Sequence, residues 1–130
     1  MLQVTTTLSY GLRVLLNLAH DHKRPRRLQT IALEEGISLP YLRKLIVPLE
    51  RAGIIKSLRG PGGGFILNRK PEEIGLLEVI NMLSHNKVIG CVTGSKSCRR
   101  YEHCVVKGLL EEAYSKFQRV FAHKTLATIL

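Results

Sequence analysis

Three cysteines, Cys91, Cys98 and Cys104, are the residues whose type and spacing point most directly to chemistry. They lie in CVTGSKSCRRYEHC, a polar stretch carrying Gly94, Ser95 and Ser97. Buried structural cysteines normally sit among apolar neighbours, and these do not. Lys96, Arg99, Arg100 and Lys107 surround them. Positive charge favours the thiolate, the form that ligates zinc and iron–sulfur clusters. Zinc motifs favour closely spaced cysteine pairs. The spacing here is C-x6-C-x5-C, which suits a loop wrapped around a cluster. An odd set of thiols cannot all pair within one chain, so a metal or redox role is expected. Zinc, or a thiol–disulfide switch, is the alternative from the same residues. A cluster normally takes one protein ligand more than these cysteines supply. His103, Glu102, His85, a small thiol or a second subunit are the candidates.

The second constellation is basic. The 130 residues hold 20 Lys+Arg against 10 Asp+Glu, a net charge of +10. Residues 1–70 carry 12 basic and four acidic side chains, against eight and six in 71–130. A basic half of this kind attracts polyanions, and nucleic acid is the commonest. Within it, Ser38-Leu39-Pro40-Tyr41-Leu42-Arg43-Lys44 opens a helix. Ser38 is a favoured N-cap type, and Pro40 suits the first turn, where its missing N–H costs nothing. Leu42, Leu45 and Leu49 should hold this helix to a core, leaving Pro40, Tyr41, Arg43 and Lys44 on the outward face. An arginine such as Arg43 can bond a guanine edge bidentately, while Lys44 and the amides at the helix start suit phosphate.

The elements that must position these residues follow from hydrophobic period. Residues 8–20 place Leu8, Leu12, Leu15, Leu16 and Ala19 at helical spacing, with Ser9 or Thr7 as expected cap. Charge and Pro25 break this helix. Residues 28–35 form a short second helix stopped by Gly36, and residues 39–52 a third, which Pro48 should kink. The period then changes. Residues 54–59 and 65–68 are strand-like and flank Gly60-Pro61-Gly62-Gly63-Gly64, a strong turn signal. Helix–turn–helix followed by a hairpin reads as a DNA-binding head with a wing. Gly60, Pro61, Gly62 and Gly63 leave a tip bare enough to approach a sugar–phosphate backbone, and Arg59 at its edge suits a minor groove. A nucleotide-binding loop is excluded, because no Lys-Ser/Thr follows and a strand rather than a helix continues.

Residues 75–84 form another helix, residues 85–104 lose periodicity, and residues 105–121 resume it with two apolar stripes. Val105, Leu109, Ala113 and Phe117 make one stripe; Val106, Leu110, Tyr114 and Phe121 make the other. One should pack inward while the other needs a partner, which suggests an oligomer. No apolar run approaches a membrane span. The start MLQVTTTLSYG lacks the basic and apolar regions of a secretion signal, so a cytoplasmic place and no membrane partner are expected. No catalytic triad, paired-carboxylate or nucleotide motif occurs, so an enzyme is not expected.

These pieces together resemble the Rrf family of bacterial winged-helix repressors over nearly the whole chain. The matching residues are Tyr10-Gly11-Leu12-Arg13, Ile37-Ser38-Leu39-Pro40-Tyr41-Leu42, Arg59-Gly60-Pro61-Gly62-Gly63-Gly64 and the cysteine triplet. The resemblance implies a homodimer that binds palindromic operators in double-stranded DNA and carries a [2Fe-2S] or [4Fe-4S] cluster on Cys91, Cys98 and Cys104. Tyr41, Arg43 and Arg59 would fall among its DNA contacts. The fold class expected is mainly α with a small β-hairpin: a winged helix-turn-helix plus a long C-terminal dimerisation helix. Residues 1–70 would be the DNA-binding head, 71–104 a connecting helix and cluster loop, and 105–130 the dimerisation helix and tail. Two departures stand out. In iron–sulfur members a His three residues after the last cysteine completes the cluster, and that position is Lys107 here. In nitric-oxide-sensing members an Asp before the first-helix Tyr contributes from the other subunit, and that position is Ser9 here. The expected function is a regulator sensing iron, redox state or nitric oxide; the rival without DNA is a thiol redox or small electron-transfer protein.

Overall fold

A computed structural model describes residues 5–84 and 98–130. Helix α1 spans Thr6–His20, and Thr5 caps it, its hydroxyl accepting the Leu8 N–H at 3.2 Å. The cap thus lies upstream of the expected Thr7 or Ser9, because the helix takes in both. Leu8, Val14, Leu15, Leu18 and Ala19 form its buried stripe. Helix α2, Leu28–Glu35, ends on Gly36 at φ 63, a left-handed conformation that glycine adopts without a Cβ penalty. Helix α3, Leu39–Arg51, buries Leu42, Leu45, Ile46 and Leu49. It runs unbroken through Pro48. The buried residues on both sides of that proline anchor the helix across the missing hydrogen bond.

Strands β1, Ile55–Leu58, and β2, Gly64–Leu67, pair antiparallel with Ile55 opposite Leu67 and Leu58 opposite Gly64. The hairpin gains a third line of chain from the segment before α2. The Arg26 N–H donates to the Phe65 carbonyl at 2.9 Å, and the Phe65 N–H donates to the Arg26 carbonyl at 2.8 Å. This close approach explains Gly64, since a Cβ there would stand 2.5 Å from the Arg26 carbonyl oxygen.

Helix α4, Leu76–Leu83, crosses α1 where Gly11 leaves room for Leu83; a Cβ at Gly11 would meet the Leu83 Cδ1 at 2.2 Å. The C-terminal tail returns to the start of α4. Leu126 donates its N–H to the Ile74 carbonyl at 2.8 Å, and Leu76 donates to Lys124 at 2.9 Å. Leu126 is fully buried, and one hydrophobic core runs from Leu8 to Leu126. The tail and α4 therefore share the core of the first three helices.

Helix α5, Lys107–Phe121, differs from the rest: none of its residues is buried. Leu110, Tyr114, Phe117 and Phe121 are half-buried, and Phe117 and Phe121 pack on the core. Val105, just before the helix, is 95% exposed and Leu109 67% exposed. The two expected stripes are not kept apart: Phe117 of the first packs inward beside Phe121 of the second, while Val106 of the second is left exposed with Val105 and Leu109. No described helix is long and apolar enough to cross a membrane.

Candidate nucleic-acid interface and thiol segment

The N-terminal turn of α3 presents Ser38, Pro40, Arg43 and Lys44, all exposed. Ser38 occupies the N-cap position, yet its hydroxyl makes no cap hydrogen bond. Tyr41 departs from the outward placement expected of it. It is half-buried, its hydroxyl shares a 2.7 Å hydrogen bond with the Thr7 hydroxyl, and its ring meets Tyr10 edge-on at 5.7 Å. The Arg13 guanidinium lies 5.5 Å from the Tyr10 ring centroid. Helical period within α3 puts Tyr41 near the surface, but α1 covers that edge. The tyrosine thereby fixes the recognition helix against α1.

Wing residues Arg59, Gly60, Pro61 and Gly62 are exposed, and Gly63 is half-buried. The turn closes through the Gly63 N–H on the Gly60 carbonyl at 2.9 Å. Gly60 sits at φ 104, and a Cβ on Gly63 would stand 2.2 Å from the Leu58 carbonyl oxygen. The glycines thus permit a turn this tight as well as a bare tip.

A polar network joins α1, α2 and the hairpin, and sequence reading missed it. The buried Asn17 donates to Glu34 Oε2 at 2.9 Å and to Glu35 Oε1 at 2.8 Å. Arg26 Nη2 donates to both Glu34 oxygens at 2.6 Å. Arg13 bonds Glu35 through its side-chain oxygen at 3.1 Å and through its backbone carbonyl. The Asn17 amide, then the Arg26 guanidinium, hold the Glu34 carboxyl below its ordinary value. Arg26 therefore ties β2 to α2, with its backbone on one and its side chain on the other. The only sequence signal was a doublet of arginines before a helix.

Of the three cysteines, Cys98 is exposed and Cys104 half-buried, and both are free thiols. Cys91 and His85 lie outside the described residues. A short 3-10 turn, Tyr101–His103, separates the two described thiols. Its start is fastened by the Tyr101 N–H on the Cys98 carbonyl at 3.1 Å. Cys98, Arg99, Tyr101, Glu102 and His103 line a shallow concavity. Among the described residues no three metal-ligating side chains converge. Lys107 turns to the segment's own side chains: its ammonium lies 3.7 Å from the Tyr101 ring centroid and 3.8 Å from Glu111 Oε1. Tyr101, and then Glu111 and Cys104, raise the Lys107 ammonium above its ordinary value.

This combination of winged head, unburied terminal helix and thiol segment defines a DNA-binding regulator. The chain belongs to the Rrf2 family, described as iron-dependent transcriptional regulators, whose pattern matches residues 4–130. Protein rrf2 of Nitratidesulfovibrio vulgaris is 34% identical over 131 residues, covering 99% of this chain and 87% of the relative. IscR of T. potens superposes with a TM-score of 0.80 at 33% identity, covering 98% of this chain and 85% of its own. CymR of B. subtilis, described as the global cysteine regulator, superposes with a TM-score of 0.79 at 29% identity, covering 99% and 96%. The protein is thus a winged-helix transcriptional regulator and not an enzyme.

Proposed function

We propose that this protein is a cytoplasmic, homodimeric repressor whose hold on a palindromic operator depends on an iron–sulfur cluster, [2Fe-2S] or [4Fe-4S], at Cys91, Cys98 and Cys104. The observation carrying this reading is the pair of free thiols, Cys98 and Cys104, immediately before a helix whose outer apolar stripe is unburied. The donor chemistry fits: the thiols are soft ligands, and cationic side chains at Arg99, Arg100 and Lys107 lie around them. When bound, the cluster supplies a cross-link between thiolates that responds to oxidation, iron supply and nitric oxide.

The chain's own residues do the rest. Arg43 reads a base edge, and Lys44 and Ser38 hold phosphate beside Pro40. Tyr41 contributes by fixing the angle of α3 on α1. Arg59 and the Gly60-Pro61-Gly62-Gly63 tip follow the neighbouring backbone. Residues 1–70 serve as the head, 71–104 as the connector with its cluster loop, and 105–130 as the dimer helix and tail. Two heads must meet half-sites about 34 Å apart, or a multiple of that. Reshaping the segment that leads into α5 shifts the heads relative to each other. Regulation then needs different DNA affinities in the two states of that segment.

Likeness to CymR, whose Staphylococcus aureus form is known in an oxidized state, favours a second reading, in which the same thiols work as an oxidation switch without iron. One preparation separates the two. Protein purified without oxygen is expected to be brown, with iron and visible absorbance that the Cys98→Ala variant loses. Colourless protein with reversible thiol oxidation would establish the second reading, and stoichiometric zinc would replace both.

A further inference from the structure

We propose that Arg27 is a DNA-phosphate contact acting beside the wing, which the recognition helix and the wing tip do not by themselves provide. The inference rests on the DNA-binding reading of the head. Arg26 and Arg27 are neighbours in extended backbone, where successive side chains point to opposite sides. Arg26 is committed to the protein: its backbone pairs with Phe65, and its guanidinium grips Glu34 at 2.6 Å. Arg27 is exposed, and among the described residues no carboxylate lies within ion-pair distance of it. Its one side-chain hydrogen bond among them runs from Nη2 to the Pro61 carbonyl, at the long distance of 3.5 Å.

That bond places the guanidinium beside the wing tip, next to Gly60, Pro61 and Gly62, which bring no charge of their own. The guanidinium has five N–H donors in a planar fork, so a contact with Pro61 leaves donors for a phosphate oxygen. The rigid pairing of Arg26 with β2 holds the Arg27 backbone at a set distance from the wing. A duplex that seats the wing therefore meets an arginine whose backbone is already anchored beside the tip. Unlike Arg43, such a residue gives grip and register rather than base choice.

The test uses the full-length protein and a duplex enriched from a random-sequence pool by the wild type. Affinity is measured over a salt series for the wild type, Arg27→Gln and Arg27→Lys, with thermal midpoints alongside. Arg27→Gln removes one contact from each of the two heads, so it is expected to weaken binding on the order of fivefold at low salt and to reduce the salt slope by about 1.8, twice the value for one phosphate contact. Arg27→Lys should recover most of that slope, and all three midpoints should agree. An unchanged slope in Arg27→Gln would overturn the proposal, whether affinity falls or not: a fall without a slope change means that Arg27 only steadies the wing. If the wild type enriches no duplex, the DNA reading itself fails, an outcome distinct from any difference among the variants.

Discussion

The wing depends on individual atoms that are missing. Gly63 has no room for a side chain, since a Cβ would sit 2.2 Å from the Leu58 carbonyl oxygen, a backbone atom that cannot rotate away. Gly63→Ala is therefore expected to open the hairpin turn. It should cost about 1–3 kcal/mol of stability and lower operator affinity at least tenfold (~1.4 kcal/mol,). Thermal melts and a DNA titration check this; an alanine variant with wild-type affinity would show that the tight turn is irrelevant to binding. Gly62 is the internal control for the thermal melt, because nothing lies within 4 Å of a Cβ placed there. The glycine run was legible in the sequence as a turn. Which glycine is sterically required was not, because that depends on a carbonyl of the facing strand.

At the scale of elements, a polar network joins α1, α2 and the wing beside the apolar core that they share. Asn17, Glu34 and Arg26 form its centre. The Glu34 carboxyl is held below its ordinary value of 4.5 by Asn17 and then Arg26. A lowered folded-state value means that the ionised form is favoured by folding. Its contribution is present above the unfolded value and is lost as pH falls through the folded one. The wild type should thus lose stability on acidification below about pH 4.5. Glu34→Gln should be less stable at neutral pH and should show a shallower acid limb. Chemical denaturation at several pH values measures both, and parallel acid limbs would remove Glu34 from the account. The helices themselves were readable because their apolar positions recur within one short window. Couplings such as Asn17 with Glu34, Thr7 with Tyr41 and Arg26 with Phe65 join residues far apart in sequence, and local periodicity cannot report them. Tyr41 was misplaced for that reason: its own helix puts it near the surface, and only the fold brings α1 over it.

For the whole molecule, the question is what covers α5. One core includes residues from Leu8 to Leu126, yet α5 contributes no buried residue to it. Val105, Leu109 and Val120 leave apolar side chains in water, and in the proposed dimer a second copy would cover them. Leu109→Asp should leave the monomer fold intact, since the residue is 67% exposed, while placing a charge in the interface. Sedimentation is expected to show the wild type as a dimer and the variant as a folded monomer with greatly weakened operator binding. A variant that remains dimeric would move the interface elsewhere. That this helix is apolar on two sides was visible in the sequence; which residues share a side was not, since Phe117 packs inward beside Phe121 and Val106 is left exposed. The third thiol, Cys91, lies outside the described residues, so the ligand set rests on residue type and order.

The central claim is that the thiol segment controls the grip of the heads. It is tested most directly by measuring operator affinity of oxygen-free protein before and after iron removal, on one duplex at one salt concentration. The account predicts an affinity change of about tenfold or more, roughly 1.4 kcal/mol, and no such change in Cys98→Ala. Equal affinity of the iron-loaded and iron-free wild type would contradict it.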